Sequence, residues 1–201
     1  MKNMPFILLC IVSIFSHTLH AQRDSCFDAK KLIIPSGLIL TGTAATYNNW
    51  GQDLNSSIQR QLYTPGKHTK LDDYIALSPC AAVYILNALG NKGKHSFTDR
   101  SVIIGTSYIM AYPIVIGTKE ATGILRPDGS TYNSFPSGHT AIAFASAEFL
   151  RMEYKDVSAW YGIAGYTVAT TVAGLRMYNN RHWFSDVLTG AGVGILSTQL
   201  A

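Results

Sequence analysis

Three short stretches hold the side chains able to do chemistry on an anion. Lys119 is followed seven residues later by Arg126-Pro127, and if the intervening EATGIL stays near-helical, seven residues is two turns and both cations point the same way. Two cations with no acidic cluster at hand suit an anion, although for this pair alone two solvated loop charges is the favoured reading. The second stretch, Asn133 to Thr140 (NSFPSGHT), opens a run of small apolar residues, AIAFASAEFL. Pro136 suits a first helical turn, where its missing N–H costs nothing. Ser137 and Gly138 would then offer free backbone N–H groups and a hydroxyl, with no side chain on Gly138 to hold an anion off. His139, on the same turn, can give or take a proton near neutral pH. In the third stretch, Arg176 to Asp186 (RMYNNRHWFSD), a helix beginning near Arg181 would put His182 and Asp186 at i and i+4. The carboxylate could then hold Nδ1–H and leave Nε2 free to attack, while Arg176 brings a planar fork of donors to a phosphate. No further His or Cys stands at metal-ligand spacing, so neither a metal nor another cofactor is expected.

Helices must bring these stretches together. Charged residues make up only 14% of the 201-residue chain, against roughly 25% in soluble globular proteins. Uncharged windows recur at 32–52, 75–91, 101–118, 129–147, 157–175 and 187–201. They predict an all-α fold, a bundle of about six core helices. Gly90 to Lys94 reads as a stop and Thr98 to Ser101 as a restart. Leu54, Ile58 and Leu62 mark an amphipathic surface helix over Asp53 to Tyr63, ended by Thr64-Pro65-Gly66. In an up-and-down bundle, the end of one helix and the start of the next share a face. Lys119 and Arg126 follow the third window, His139 opens the fourth, Arg176 closes the fifth and His182 opens the sixth, so all three stretches fall at one end of the bundle. That agreement favours a common anion site over three incidental features.

Taken in order, Lys119-x6-Arg126-Pro127, Pro136-Ser137-Gly138-His139 and Arg176-x5-His182-x3-Asp186 resemble the three-part signature of the type 2 phosphatidic acid phosphatase (PAP2) superfamily, which also contains bacterial acid phosphatases and vanadium haloperoxidases. The resemblance runs from about Asp72 to the C-terminus. It implies a phosphatase in which His182 is the nucleophile, forming a phosphohistidine, with Asp186 orienting it. His139 would protonate the leaving alcohol and later activate water. Lys119, Arg126, Ser137, Gly138 and Arg176 would cradle the phosphoryl oxygens, fixed cations taking the place of a metal. Leu175 departs from the pattern, which often has Ser before this arginine.

The remaining sequence bears on location and substrate. Lys2, the apolar run Phe6 to Phe15 and a small residue at Ala21 resemble a cleavable secretory leader over residues 1–21, the run being too short for a comfortable span. A 22–71 segment with the amphipathic helix and a 72–201 phosphatase domain would follow; with no stop signal after the last window, its final helix is expected to be cut short. Export permits a disulfide between Cys26 and Cys80, yet Cys80 lies in an apolar stretch and reads as a small buried hydrophobe. Net charge is +4 without any basic block, which disfavours nucleic acid as a partner. Residues 91–100 carry Lys92, Lys94 and Arg100 against Asp99, so by the positive-inside rule this loop faces the cytoplasm and the catalytic end the periplasm. Low charge and apolar windows favour a membrane-associated enzyme acting on lipid A, a phosphatidylglycerol phosphate or an isoprenyl diphosphate. The rivals are a soluble periplasmic acid phosphatase, a vanadate-dependent haloperoxidase and a non-catalytic phospholipid-binding protein.

Overall fold

The computed structural model describes residues 29–201; the leader and Cys26 lie outside these. Among the described residues eight α-helices and no strands occur: α1 Ile33–Tyr47, α2 Asn49–Leu62, α3 Leu71–Ile75, α4 Ser78–Ala88, α5 Phe97–Thr122, α6 Gly138–Tyr154, α7 Ala159–Tyr178 and α8 Phe184–Leu200. The all-helical expectation holds, with differences in where helices start and stop. The 32–52 window is two helices, because Asn48 turns extended and directs both its backbone N–H and its side-chain amide at the Ala44 carbonyl. Asparagine competes with helix in this way, by offering the backbone a side-chain alternative. Serine caps mark three starts, with Ser96, Ser137 and Ser158 accepting from Asp99, Thr140 and Trp160 backbone N–H groups. Gly123, in the left-handed region at φ 54°, ends α5.

Helices α6 and α8 form the centre, and their sequences explain how closely they pack. A Cβ built on Gly190 would lie 2.4 Å from the Ser137 carbonyl oxygen, and one on Gly194 2.2 Å from that of Ala141. Glycine at these positions is therefore what lets α8 meet the start of α6. Small residues also line α6: Ala143 and Ala147 pack with Ala169 and Val172 of α7, and Ala141 with Ala111 and Val115 of α5 and Val193 of α8. A third apolar cluster, Val83, Ile104, Phe149, Leu150 and Tyr154, ties α4 and α5 to the far end of α6.

The six apolar windows differ in what they face. α5 alone among the described helices is long and apolar enough to cross a membrane, and only 22% of its apolar window is buried. Val102, Ile109, Tyr112 and Ile114 are exposed along it. By contrast, α6 and α8 bury most of their length.

Candidate active site

The α5–α6 and α7–α8 connections meet at one end of the bundle, as the helix count requires. Lys119 sits in the last turn of α5, where its ammonium donates to the carbonyls of Asn133 and, at 3.1 Å, Ser134. Lys119 and Arg126 do not share a helical face, because α5 stops at Thr122 and Gly123 turns the chain. Arg126 instead reaches the site from the loop, its Nε donating to Asn133 Oδ1 at 2.8 Å. The common partner of the two cations is thus the NSFPSGHT loop.

That loop differs from its sequence reading in two respects. Pro136 lies before the helix, since Ser137 is the N-cap and α6 begins at Gly138. The Ser137 N–H is not free either; it donates to the Asp186 carbonyl at 3.0 Å. Its hydroxyl accepts from the Thr140 hydroxyl at 2.9 Å, which leaves the Ser137 O–H and the Gly138 N–H as the loop's donors.

His182 and Asp186 pair, but not along a helix. α8 starts only at Phe184, so His182 lies in the preceding turn and Asp186 at the helix's third position, where Trp183 N–H donates to its Oδ2 at 2.9 Å. The same oxygen accepts from His182 Nδ1 at 3.3 Å and from the Ser134 hydroxyl. Three donors on one buried oxygen fix this carboxylate in place. Burial pushes the His182 imidazole down to about 4, partly opposed by Asp186. It is therefore neutral near pH 7, and no hydrogen bond from a described residue occupies Nε2, so that nitrogen could attack as a nucleophile.

Arg176, at the end of α7 and 8% exposed, donates from Nη1 to Asp72 Oδ2 at 2.6 Å. Its Nε–H is buried with no partner among the described residues, a donor costly to leave without an acceptor. A cleft of about 440 Å³ is lined by Lys70, Asp72, Asp73, Arg126, His139, Arg176 and Arg181, among others. Cations outnumber carboxylates there, and burial together with Arg176 and Arg181 pushes the Arg126 guanidinium below its ordinary value. Lys119 and Arg176 also act electrostatically on His182. The arrangement suits a compact anion with several oxygens.

Sequence reasoning missed the residues that hold this site from behind. Asp72 and Asp73 of α3 face Arg176 and His139. Asn55 of α2 accepts from Ser185 N–H and donates to Ser185 Oγ, both at 3.0 Å, beside the His182 turn. Gln59 donates to Asn180, whose φ of 58° turns the chain towards His182. The adjacent acidic pair in KLDDYI, in a chain with only 12 acidic residues, was the available signal. For Asn55 and Gln59 there was none.

Residues 76–201 match the PAP2 superfamily. The chain belongs to that superfamily. It is 44% identical over 223 aligned positions to a lipid A 1-phosphatase of Porphyromonas gingivalis, a match covering 98% of this chain and 50% of that protein, so the chain spans about half the length of this relative. Among solved structures, LpxE of Aquifex aeolicus superposes with a TM-score of 0.54 at 20% identity, over 74% of this chain and 92% of that one. A transmembrane PAP2-type phosphatidylglycerolphosphate phosphatase of Bacillus subtilis gives 0.47 at 22% identity, over 83% and 93%. The first of these shows a shared helical fold. α1, α2 and α3, with Asn55, Gln59, Asp72 and Asp73, lie outside the family match.

Proposed function

We propose that the protein is a phosphatase of membrane lipids, hydrolysing phosphate monoesters or diphosphates of the lipid A class through a phosphohistidine and without a metal. The observation that carries the reading is a cleft lined by Arg126, His139 and Arg176 at the bundle end where Lys119 and Arg176 also act electrostatically on His182, itself paired with Asp186. In the first step His182 Nε2 attacks phosphorus and the bond to the leaving oxygen breaks, that oxygen taking a proton from His139. In the second, neutral His139 takes a proton from water as the water oxygen attacks phosphorus, the P–N bond breaks, and phosphate leaves. Lys119, Arg126, Arg176, the Ser137 hydroxyl and the Gly138 N–H stabilise the equatorial oxygens, on which phosphoryl transfer mainly depends. The Porphyromonas gingivalis relative, named for lipid A, supports that substrate class above phosphatidylglycerol phosphate and isoprenyl diphosphates.

Membrane association is part of this reading. The 22 residue steps from Phe97 to Lys119 along α5 rise roughly 33 Å, about the hydrocarbon thickness of a bilayer. α5 thus separates the basic 91–100 loop from the catalytic end, which supports a periplasmic active site at the membrane surface. The test is phosphate release in detergent from a panel of lipid and soluble phosphates, using wild type and His182→Ala. Wild type should release phosphate from lipid phosphates and His182→Ala should not; turnover surviving in the variant would overturn the mechanism.

A further inference from the structure

The cleft is lined by an imidazole–carboxylate pair distinct from the buried His182–Asp186 pair. Asp73 Oδ1 lies 2.9 Å from His139 Nε2 and 3.8 Å from Arg176 Nη1. Asp73 comes from α3, outside the family match, and its neighbour Asp72 is spent elsewhere. Asp72, 1% exposed, receives Arg176 Nη1 on one oxygen and the Asn179 amide, at 3.1 Å, on the other. The same amide donates to the Thr69 carbonyl at 2.8 Å, while Thr69 N–H donates back to Asn179 Oδ1 at 3.0 Å. These bonds clamp α3 onto the end of α7, so the place of Asp73 is set by the fold even though its side chain is 51% exposed.

From this geometry we infer that Asp73 is the positioning residue for the proton-transferring histidine: its carboxylate accepts Nε2–H, turns the His139 ring into the cleft and stabilises the imidazolium. His139 Nδ1 has no hydrogen-bond partner among the described residues, so the ring is held at one nitrogen and open at the other. The arrangement mirrors His182, held at Nδ1 by Asp186. The electrostatic setting explains why a carboxylate is needed. Burial and Arg176 drive His139 towards its neutral form, and Asp73 and Asp72 act against them. Arg126, Arg181, Lys70 and His68 line the same cleft and add positive charge when protonated. Without Asp73 the imidazole would face these cations with only the already paired Asp72 to offset them. In the first step Asp73 keeps its charge: the proton passes from His139 to the leaving oxygen and is regained from water in the second.

This inference rests on the phosphatase reading, and the two fail in different ways. The experiment compares wild type, Asp73→Asn and Asp73→Glu on two substrates in detergent, a lipid alkyl phosphate and p-nitrophenyl phosphate. The aryl ester's leaving group is a weak base and needs little proton donation, whereas the alkoxide of the lipid ester needs it fully. A wild type inactive on both substrates would refute the phosphatase reading itself. With wild type active, Asp73→Asn should lower kcat/KM on the lipid phosphate by on the order of 10- to 100-fold, within the range expected for general acid catalysis. On the aryl phosphate kcat/KM, which ends with the first step and its weakly basic leaving group, should fall by less than about threefold. The basic limb of kcat/KM on the lipid ester should move to lower pH, and Asp73→Glu should restore much of the loss. Equal losses of kcat/KM on both substrates, or an unmoved basic limb, would overturn the inference, since a purely structural role for Asp73 predicts both.

Discussion

The acid side of the pH profile offers a direct test of how His182 is held. A solvated imidazole near 6.5 is about 97% protonated at pH 5, leaving about 3% able to attack. With the pKa of His182 pushed to about 4 by burial, about 91% stays neutral at the same pH, a difference of roughly 30-fold in competent enzyme. The assay is kcat/KM for p-nitrophenyl phosphate in detergent between pH 3.5 and 7, corrected for the ionisation of the substrate. This parameter reports the free enzyme, and His139, which must be protonated in the first step, contributes only to the basic limb. Activity should persist to pH 5 and break near 4. The same depression has a stability consequence of definite sign. The unfolded chain binds a proton at His182 below about 6.5 that the folded protein refuses until about 4, so stability falls as pH drops through that window and levels off below it. A pKa of about 4 in place of 6.5 corresponds to roughly 3 kcal/mol. His182→Gln should therefore flatten part of the loss of Tm between pH 6.5 and 4. An acid limb at 6.5, or a Tm difference between wild type and variant that does not change with pH, would refute the burial argument.

Three further substitutions, one of them a control, probe the support behind the site. Gly190→Ala places a methyl 2.4 Å from the Ser137 carbonyl and should cost about 1–3 kcal/mol by overpacking, with activity lost as the phosphate loop shifts; Gly174→Ala, with nothing within 4 Å, should be neutral or slightly stabilising. Chemical denaturation and phosphate release on both variants check this. Asn55→Ala strands the buried Ser185 N–H beside His182, with an expected loss of about 1–3 kcal/mol and a fall in kcat read in the same release assay, even though Asn55 lies outside the family match.

What the sequence by itself determined is local. Low charge and recurring uncharged windows specify helices, and each chemical stretch announces itself because its residues must sit within one loop or turn. Lys119, Arg126, Ser137 to His139, Arg176, His182 and Asp186 were legible for that reason, and counting helices was enough to bring them to one end. Finer geometry was not legible. Asn48 broke a window with no proline or glycine beside it, and the Ser137 N–H went to the Asp186 carbonyl rather than staying open. Only the tertiary structure decided which distant residues hold the site. Arg176 meets Asp72 across 104 positions and Asn55 meets Ser185 across 130, and no periodicity encodes a pairing made by packing helices. The apolar windows likewise looked alike in sequence, since a helix facing lipid and one facing other helices both exclude charge. Packing separates them: the glycines of α8 let it bury its length against α6, while α5, with bulky residues on its outer face, presents that face outward.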